Sequence, residues 1–484
     1  METKLIIEKG RKGQMGIGLP PMDVPEKSIA TLIPTELIRD KAPALPEVSE
    51  PELVRHYINL STKNHHVDKN LYPLGSCTMK YNPKINDWTA AHLMLATAHP
   101  HQPEIASQQQ LRLYYELEQM LCNITGMNRF TLQPAAGSQG ELVGVMVMRK
   151  YHELKGNHKT TILIPDAAHG TNPASVAMAG YNVVEVKSSS NGLVDIDDFK
   201  SKINDEVAGF MLTNPNTLGL FEDNLSILAD LIHGVDGLMY MDGANMNALL
   251  GLVKPAELGF DITHINLHKT FSTPHGGGGP GAGPIGVVEK LANYLPIPRI
   301  DKVNDAYTLN VDLPHSIGRL SAFYGNFGVL VRAWTYIRTL GAEGLVDTSK
   351  NAIINANYLM AKLTTRYDIG YEHACMHEFV LSAQKEKEKG IKALDIAKRL
   401  LDYGYHSPTM YFPLIVKEAL MIEPTENETK ETLDDFIDVM FKILDEIDDN
   451  PEIVKNAPYT TPIRRVDETV ANRQLNTHWN VNEF

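Results

Sequence analysis

The stretch that decides how this fold is interpreted is Asp261-Ile262-Thr263-His264-Ile265-Asn266-Leu267-His268-Lys269. It is an apolar, strand-like segment that ends in His-Lys, and a glycine-rich loop, His275 to Pro284, follows it. An amine at a strand end, beside a loop that can lie against a ligand, can condense with an aldehyde. Pyridoxal phosphate is the aldehyde that enzymes most often hold in this way. On this motif alone, a solvated surface lysine is an equally open interpretation.

Working outward, short apolar strands alternate with helical stretches such as Asp197–Ile203 and Asn224–Ile232. This alternation predicts an α/β fold with a mostly parallel sheet that is covered by helices on both faces. In such sheets, ligands bind beyond the carboxyl ends of the strands. The predicted strands are Thr161–Pro165, Asn182–Val186, Gly209–Thr213, Gly237–Met241, Ile262–Leu267 and Pro284–Val288.

The pattern divides the chain into three parts. Residues 1–105 are rich in proline, glycine and turn signals, which predicts an extended arm with short helices. Residues 106–330 form the predicted large α/β domain, which begins with a helix near Gln108–Leu121. Residues 331–484 form a smaller α+β domain, in which helices outweigh strands. Its predicted helices are Val331–Leu340, Thr348–Thr364, Ile391–Asp402 and Leu433–Ile447.

Composition excludes several classes of protein. The chain has 484 residues with 45 Lys and Arg against 59 Asp and Glu, and its net charge of −14 argues against binding to nucleic acid or to an anionic membrane surface. The three cysteines are far apart, which makes a disulfide framework or a zinc finger unlikely and favours a reducing compartment. Neither a signal peptide nor a stretch of membrane-spanning length is apparent, so we expect a cytoplasmic protein.

Asp242 ends a second apolar strand, Leu238 to Asp242, and Gly243-Ala244-Asn245 follow it. A carboxylate at this place can pair with a pyridinium nitrogen and keep it protonated. Lys269 follows 27 residues later (269 − 242), which leaves room for one crossover helix and one strand, so both groups can lie at the same sheet edge. The alternative is that Asp242 caps a following helix.

The segment Gly137-Ser138-Gln139-Gly140 precedes an apolar helical stretch. Small residues and free amides at a helix start favour a phosphate group. The alternative is a purely structural helix start in which Ser138 is the N-cap and Glu141 completes a capping box. The two interpretations are compatible.

Further candidates follow predicted strands. His169 could stack on a cofactor ring, and Asn214 could hydrogen-bond a ring substituent, although a loop histidine and a simple turn are the alternatives. His268 could relay protons or fix the ring, but strand alternation would turn it away from Lys269, so a packing role is an equally open alternative. Ala244 completes the set of cofactor-binding candidates.

Three motifs together carry a family resemblance. They are Tyr72-Pro73-Leu74-Gly75-Ser76-Cys77-Thr78-Met79-Lys80, Asn266-Leu267-His268-Lys269-Thr270-Phe271 and Gly276-Gly277-Gly278-Gly279-Pro280-Gly281. With these motifs the chain resembles the glycine decarboxylase P-protein of the glycine cleavage system, a pyridoxal-phosphate enzyme of fold-type I, like aspartate aminotransferase. The similarity runs from Gly10 to Glu426. Because only one lysine-bearing half is present, the chain resembles subunit 2 of the split form of that family.

The resemblance implies a set of roles. Lys269 would carry pyridoxal 5′-phosphate as a Schiff base, Asp242 would pair with the pyridinium and His169 would stack on the ring. The Gly137–Gly140 loop, with Ser138 and Gln139, would hold the phosphate. Glycine would lose CO2, and its aminomethyl group would pass to the lipoyl group of H-protein. The resemblance also implies an obligate subunit 1, in a heterotetramer with two copies of each subunit.

Two rival functions stay open at this point. Another amino-acid decarboxylase or an aminotransferase would use the same Lys269 and Asp242. A non-catalytic scaffold that keeps the fold would bind no cofactor. The groups that bind the glycine carboxylate, the docking surface for H-protein and the roles of Cys77 and the loop at residues 276–283 are not indicated by the sequence.

Overall fold

The computed structural model describes residues 4–41, 43, 45–275 and 281–477. The chain forms two compact units, Met1–His66 and Val67–Phe484. The described part of the first unit contains one α-helix, α1 (Glu50–Ser61), and three short 3-10 helices, at Ile6–Glu8, Ile29–Thr31 and Thr35–Leu37.

The second unit contains the remaining α-helices, three more 3-10 helices (Glu104–Ala106, Pro255–Leu258 and Glu289–Tyr294) and all of the strands that the described residues form. The helices are α2 (Lys84–Ala90), α3 (Leu93–Ala96), α4 (Gln108–Thr125), α5 (Gly137–Lys155), α6 (Thr171–Met178), α7 (Ile196–Lys202), α8 (Leu225–Gly234), α9 (Leu267–Thr270), α10 (Phe327–Leu363), α11 (Gln384–Glu388), α12 (Ala393–Asp402), α13 (Lys430–Asp449), α14 (Pro451–Lys455) and α15 (Glu468–Arg473). The strands are β1 (Arg129–Thr131), β2 (Thr161–Pro165), β3 (Asn182–Val186), β4 (Val207–Thr213), β5 (Leu238–Gly243), β6 (Ile262–Ile265), β7 (Ile285–Val287), β8 (Arg299–Val303), β9 (Ala306–Asn310), β10 (Asp368–Ile369), β11 (Phe379–Ser382), β12 (Thr409–Met410) and β13 (Ala419–Ile422).

A seven-stranded sheet in the order β1-β7-β6-β5-β4-β2-β3 organises the second unit. The five strands β6, β5, β4, β2 and β3 pair in parallel, whereas β7 runs antiparallel to both of its neighbours, β6 and β1. The predicted α/β fold with a mostly parallel sheet is therefore confirmed. Because β2, β4, β5 and β6 run the same way, the residues that follow their carboxyl ends meet at one edge.

Continuous apolar sequences form the central strands because both faces of the sheet are covered. On one face, an apolar cluster joins the sheet to α4, α8 and the start of α10. On the other face, a second cluster joins it to α5 and α6. The central strand β5 is buried along its whole length. These two layers fix the sheet and leave its carboxyl edge open to carry a site.

The C-terminal part contains a four-stranded antiparallel sheet in the order β10-β11-β13-β12, which packs with α12 and α13 around a separate core. Helix α10 spans both predicted helices Val331–Leu340 and Thr348–Thr364, and its backbone is interrupted at Gly341 (φ 64°, ψ −172°). Glycine takes this left-handed φ without the penalty of a side chain. The domain boundaries at 105/106 and 330/331 stay predictions. No helix in the described ranges has both the length and the apolar character that crossing a bilayer requires.

Candidate active site

A cavity of about 280 Å³ lies at the carboxyl edge of the seven-stranded sheet. It brings together most of the residues that the sequence singles out, although they come from separate helices, strands and loops. The predicted residues that line it are Gly137, Ser138, His169, Asp242, Ala244, His268 and Lys269. Gln139 and Asn214 are not among its lining residues.

Lys269 lies on the short helix α9 and not on a strand. The predicted strand Ile262–Leu267 ends at Ile265, and the chain then turns into α9. Strand alternation therefore does not apply to His268, and the expectation that it faces away from Lys269 is wrong, since both residues line the cavity. Lys269 is half-buried. Among the described residues, none forms a hydrogen bond or an ion pair with its amine.

Strand register fixes the position of Asp242. It is paired with Thr213 on β4 and with His264 on β6, so it lies at the centre of the sheet edge. Its Oδ2 accepts a hydrogen bond of 3.0 Å from Asn172 Nδ2, and its Oδ1 accepts one of 3.0 Å from the backbone N–H of Ala244. The carboxylate is 4% exposed, so these two donors hold it in one orientation.

Asp242 is ionised at neutral pH. Burial acts to raise its pKa, but the neighbouring His264, the hydrogen bonds from Asn172 and Ala244, and the amine of Lys269 together lower the pKa below its ordinary value. A buried carboxylate that keeps its charge is suited to hold a proton on a basic nitrogen in the cavity.

A second acid, Glu141, lies behind Asp242. The fully buried His264 links them, since its Nε2 is 3.3 Å from Asp242 Oδ1 and 3.9 Å from Glu141 Oε1. Burial and the charge of Asp242 raise the pKa of Glu141 to about 7. The sequence interpretation missed this acid, and it missed His264 although that residue lies within the deciding stretch.

His169 is connected to the same group of acids. Thr171 Oγ1 is 2.8 Å from both His169 Nδ1 and Glu141 Oε1, and the backbone N–H of Thr171 also donates to His169 Nδ1 at 3.3 Å. Thr171 therefore connects the ring of His169 to Glu141. The side chain of His169 is exposed, yet desolvation by the surrounding protein, together with the charge of Lys269, lowers its pKa despite the opposing effect of Asp242. The ring is therefore neutral and held at one edge.

Helix α5 points its first turn into the cavity. Its N-cap is Ala136, and no described side chain caps it. The alternative in which Ser138 is the N-cap of a capping box with Glu141 is wrong, because Ser138 lies inside the first turn. Ala136, Gly137 and Ser138 all line the cavity, so uncapped amides face it. Gly137 is required there, since a Cβ would lie 2.3 Å from Asn266 Oδ1.

Gln139 and Asn214 hold loops that border the cavity. Gln139 Oε1 accepts a hydrogen bond of 2.7 Å from the backbone N–H of Ala135. Asn214 is 1% exposed, and its Oδ1 accepts one of 3.0 Å from the N–H of Glu222, while its Nδ2 has no partner among the described residues. The side chains nearest the cavity on that loop belong to Thr213, Pro215 and Thr217.

A further part of the cavity lining comes from His377 and Glu378, to which the sequence assigned no role, together with Ser76 of the motif Tyr72–Lys80. The backbone N–H of Ser76 donates to Glu378 Oε2 at 2.6 Å. In the glycine-rich loop, Gly281 packs against His268, since a Cβ there would lie 2.5 Å from His268 Nδ1. Residues 276–280 of that loop lie outside the described residues.

Comparison with known sequences gives a consistent result along the chain. The sequence model of the family Glycine cleavage system P-protein matches residues 17–308, and that of Glycine dehydrogenase, C-terminal domain, matches residues 348–460. The chain is 54% identical over 487 residues to a probable glycine dehydrogenase (decarboxylating) subunit 2 of Chloroherpeton thalassium, covering 100% of this chain and 99% of that protein. Proteins with the same description from Chlorobaculum tepidum (56%, 98% of this chain and 99% of that protein) and Caldanaerobacter subterraneus (54%, 99% and 99%) are similarly close.

Solved structures share the fold at low identity. A glycine decarboxylase (P-protein) of the glycine cleavage system, in inhibitor-bound form, superposes with a TM-score of 0.73 at 18% identity, covering 86% of this chain and 94% of that one. A glutamate decarboxylase of Lactobacillus brevis superposes with a TM-score of 0.64 at 14% identity, covering 86% and 96%.

Proposed function

The chain belongs to the family of glycine cleavage system P-proteins, and on that premise we propose that it decarboxylates glycine with pyridoxal 5′-phosphate on Lys269. It passes the aminomethyl group to the lipoyl group of H-protein. One observation supports the proposal most strongly: the amine of Lys269, which has no described partner, lines the same cavity as the buried, ionised carboxylate of Asp242.

The donor set suits this cofactor. The amine of Lys269 can react with the aldehyde of the cofactor, and the buried carboxylate of Asp242 can pair with its ring nitrogen. The imidazole of His169 suits the ring face, and the uncapped start of α5 suits the phosphate. Bound pyridoxal phosphate supplies an electron-withdrawing ring that takes up the electron pair released when a bond to the amino-acid carbon breaks.

The chain's own residues then have distinct tasks. Lys269 would hold the aldehyde carbon of the cofactor and would be displaced from it by the substrate amine. Asp242 holds a proton on the ring nitrogen, because its own carboxylate stays ionised. His169 would cover the ring face of the cofactor, and Thr171 holds the edge of the imidazole.

The remaining candidates position the cofactor. Gly137 and Ser138 offer backbone amides to the phosphate, while Ala244 and His268 border the ring. Gln139 and Asn214 act indirectly, since their carboxamides hold the loops beside the cavity.

The proposal includes partners and a location. The chain works with subunit 1, in a heterotetramer with two copies of each subunit, and with lipoylated H-protein. Exposed apolar side chains in the first unit support a protein partner; they include Ile17 (93% exposed), Leu19 (95%), Leu37 (70%) and Leu45 (74%). The three free cysteines support a cytoplasmic location.

The test is exchange of labelled bicarbonate into the carboxyl of glycine, with subunit 1 and lipoylated H-protein present. We expect exchange with glycine, its loss in Lys269→Ala, and its retention in the control Lys254→Ala, whose side chain is half exposed and pairs with Glu257. Exchange with a larger amino acid instead would indicate a different decarboxylase. No exchange with any amino acid would favour a scaffold.

A further inference from the structure

The cavity lining contains ionisable groups that the tasks above leave unused. His377 and Glu378 directly precede β11, are 1% and 3% exposed, and line the cavity. The loop that carries them is fixed, since the N–H of Met376 donates to the carbonyl of Gly219 at 2.7 Å. A Cβ on Gly219 would lie 1.8 Å from the carbonyl oxygen of Glu378, so this close packing requires glycine.

Glu378 shares its surroundings with a second buried acid, Glu423. One ligand atom of each of these acids and of His377 lies within 4.8 Å of the others. Of the two acids, Glu423 accepts more hydrogen bonds, which favour its ionised form. The donors are Thr78 Oγ1 (2.6 Å), the N–H of Thr78 (3.1 Å) and Asn245 Nδ2 (3.0 Å). Two buried acids this close share a proton more readily than they carry two charges.

At neutral pH, the proton that the two acids share resides on Glu378. Its Oε2 accepts one hydrogen bond, from Ser76, while its Oε1 is 3.7 Å from His377 Nε2 and accepts none from the described residues. Burial and repulsion by Glu423 raise the pKa of Glu378 to about 8, against the opposing effects of Ser76 and Lys269. A carboxylic acid therefore borders the cavity at neutral pH.

His377 independently marks this wall as a surface that meets a ligand. Among the described residues, neither of its ring nitrogens has a hydrogen-bond partner. Burial and the charge of Lys269 lower its pKa to about 3, so the ring is neutral and offers one donor and one acceptor. Buried polar atoms without partners are costly, and a group that enters the cavity can satisfy them.

The proposed reaction requires an acid on the substrate side. When CO2 leaves, the electron pair of the broken carbon–carboxylate bond forms a new carbon–sulfur bond with one sulfur of the lipoyl disulfide. The sulfur–sulfur bond breaks, and its electron pair stays on the second sulfur, which needs a proton to become a thiol. The lipoyl group is thereby reduced, and the transfer consumes one proton.

We propose that Glu378 is the catalytic acid that gives this proton to the departing sulfur, and that His377 contacts the incoming group beside it. Glu378 regains a proton from water after the product leaves. This inference rests on the proposed function. Besides Glu423 and His377, the charged or titratable groups near this acid among the described residues are Lys269, Cys77 and Cys375.

The first test uses the full chain and does not depend on turnover. In infrared difference spectra across a pH titration, we expect a carboxylic-acid C=O band that is lost with a midpoint near pH 8. Glu378→Gln removes this band, because glutamine keeps the acceptor for Ser76 but cannot ionise. The matched control is Glu428→Gln, since Glu428 is a partly buried acid outside the cavity whose pKa burial raises to about 7. An unchanged titration in Glu378→Gln would overturn the assignment.

The second test measures transfer in a single turnover, with labelled glycine, subunit 1 and lipoylated H-protein. Loss of a general acid slows such a step by about 100-fold or more. We expect that loss in Glu378→Gln, partial recovery in Glu378→Asp, and a rate within about twofold of the unsubstituted chain in Glu428→Gln. Undiminished transfer in Glu378→Gln, while the unsubstituted chain exchanges bicarbonate normally, would overturn this inference alone. Absence of exchange in the unsubstituted chain would instead contradict the proposed function.

Discussion

Removing the carboxylate of Asp242 has two separable consequences, for stability and for rate. In Asp242→Ala, the buried donors Asn172 Nδ2 and the N–H of Ala244 both lose their acceptor. An unsatisfied buried donor costs about 1–3 kcal/mol, so the two together lower the free energy of unfolding by roughly 2–6 kcal/mol. In Asp242→Asn, the remaining carbonyl oxygen can satisfy one of the two donors, and the expected loss is about half as large.

The effect of these substitutions on rate comes from the lost charge. Removing one partner of a buried ion pair costs about 3–5 kcal/mol, which corresponds to roughly a 10²- to 10⁴-fold lower rate if the cost falls on the transition state. We expect both variants to bind pyridoxal phosphate and to turn over slowly. Lys269 still provides the covalent link in each of them.

Urea denaturation of the full chain measures the stability difference, and bicarbonate exchange with the reconstituted partners measures the rate. Cofactor content is followed by absorbance in the same samples. Equal unfolding free energies for the unsubstituted chain and Asp242→Ala would refute the hydrogen-bonding account. An unchanged exchange rate would refute the role of the carboxylate at the ring nitrogen.

Three further predictions concern other parts of the cavity. We expect Lys269→Ala to abolish turnover but to leave the thermal unfolding midpoint nearly unchanged, because the amine makes no described hydrogen bond. Circular dichroism measures the midpoint and the exchange assay measures turnover. Undiminished exchange in this variant would contradict the prediction. Gly137→Ala places a Cβ 2.3 Å from Asn266 Oδ1, so we expect an absorbance titration to show at least about tenfold weaker binding of the cofactor. The control Gly170→Ala, where a Cβ meets open space, should bind the cofactor normally. Equal affinities of the two variants would contradict the assignment of Gly137 to the phosphate site. The pKa of Glu141 is raised to about 7 in the folded chain, whereas it is about 4.5 in the unfolded chain. Its contribution to the free energy of unfolding is therefore fully present below pH 4.5 and is lost as the pH rises through 7, by up to ~3 kcal/mol. Glu141→Gln removes this loss, and unfolding free energies at pH 5 and pH 8 that change as much as in the unsubstituted chain would contradict it.

The strand ends were predictable because parallel strands that are buried on both faces leave continuous apolar sequences. Asp242 could be placed next to the sheet edge in this way, as could His169 in the loop after β2. The turn after Ile265 was not predictable, since Asn266-Leu267-His268-Lys269 continues the apolar pattern while its backbone already forms α9. The error about the direction of His268 follows from that missed turn.

The wall formed by His377 and Glu378 carries no local signal. The partners of Glu378, Ser76 and Glu423, are distant in sequence, and a buried carboxyl pair has no periodicity that distinguishes it from surface acids. Glu141 shows the same limit: its spacing from Ser138 fits a capping box, but the helix starts two residues too early for Ser138 to be the cap. Burial and long-range pairing, which set these pKa values, emerge only when the chain is folded.

The central claim is that Lys269 holds the cofactor, and one measurement tests it most directly. The full chain is loaded with pyridoxal phosphate, reduced with borohydride, digested and mapped by mass spectrometry. The account predicts a pyridoxyl adduct on the peptide that contains Lys269, and no adduct there in Lys269→Ala. An adduct on other lysines only, or none at all, would contradict it.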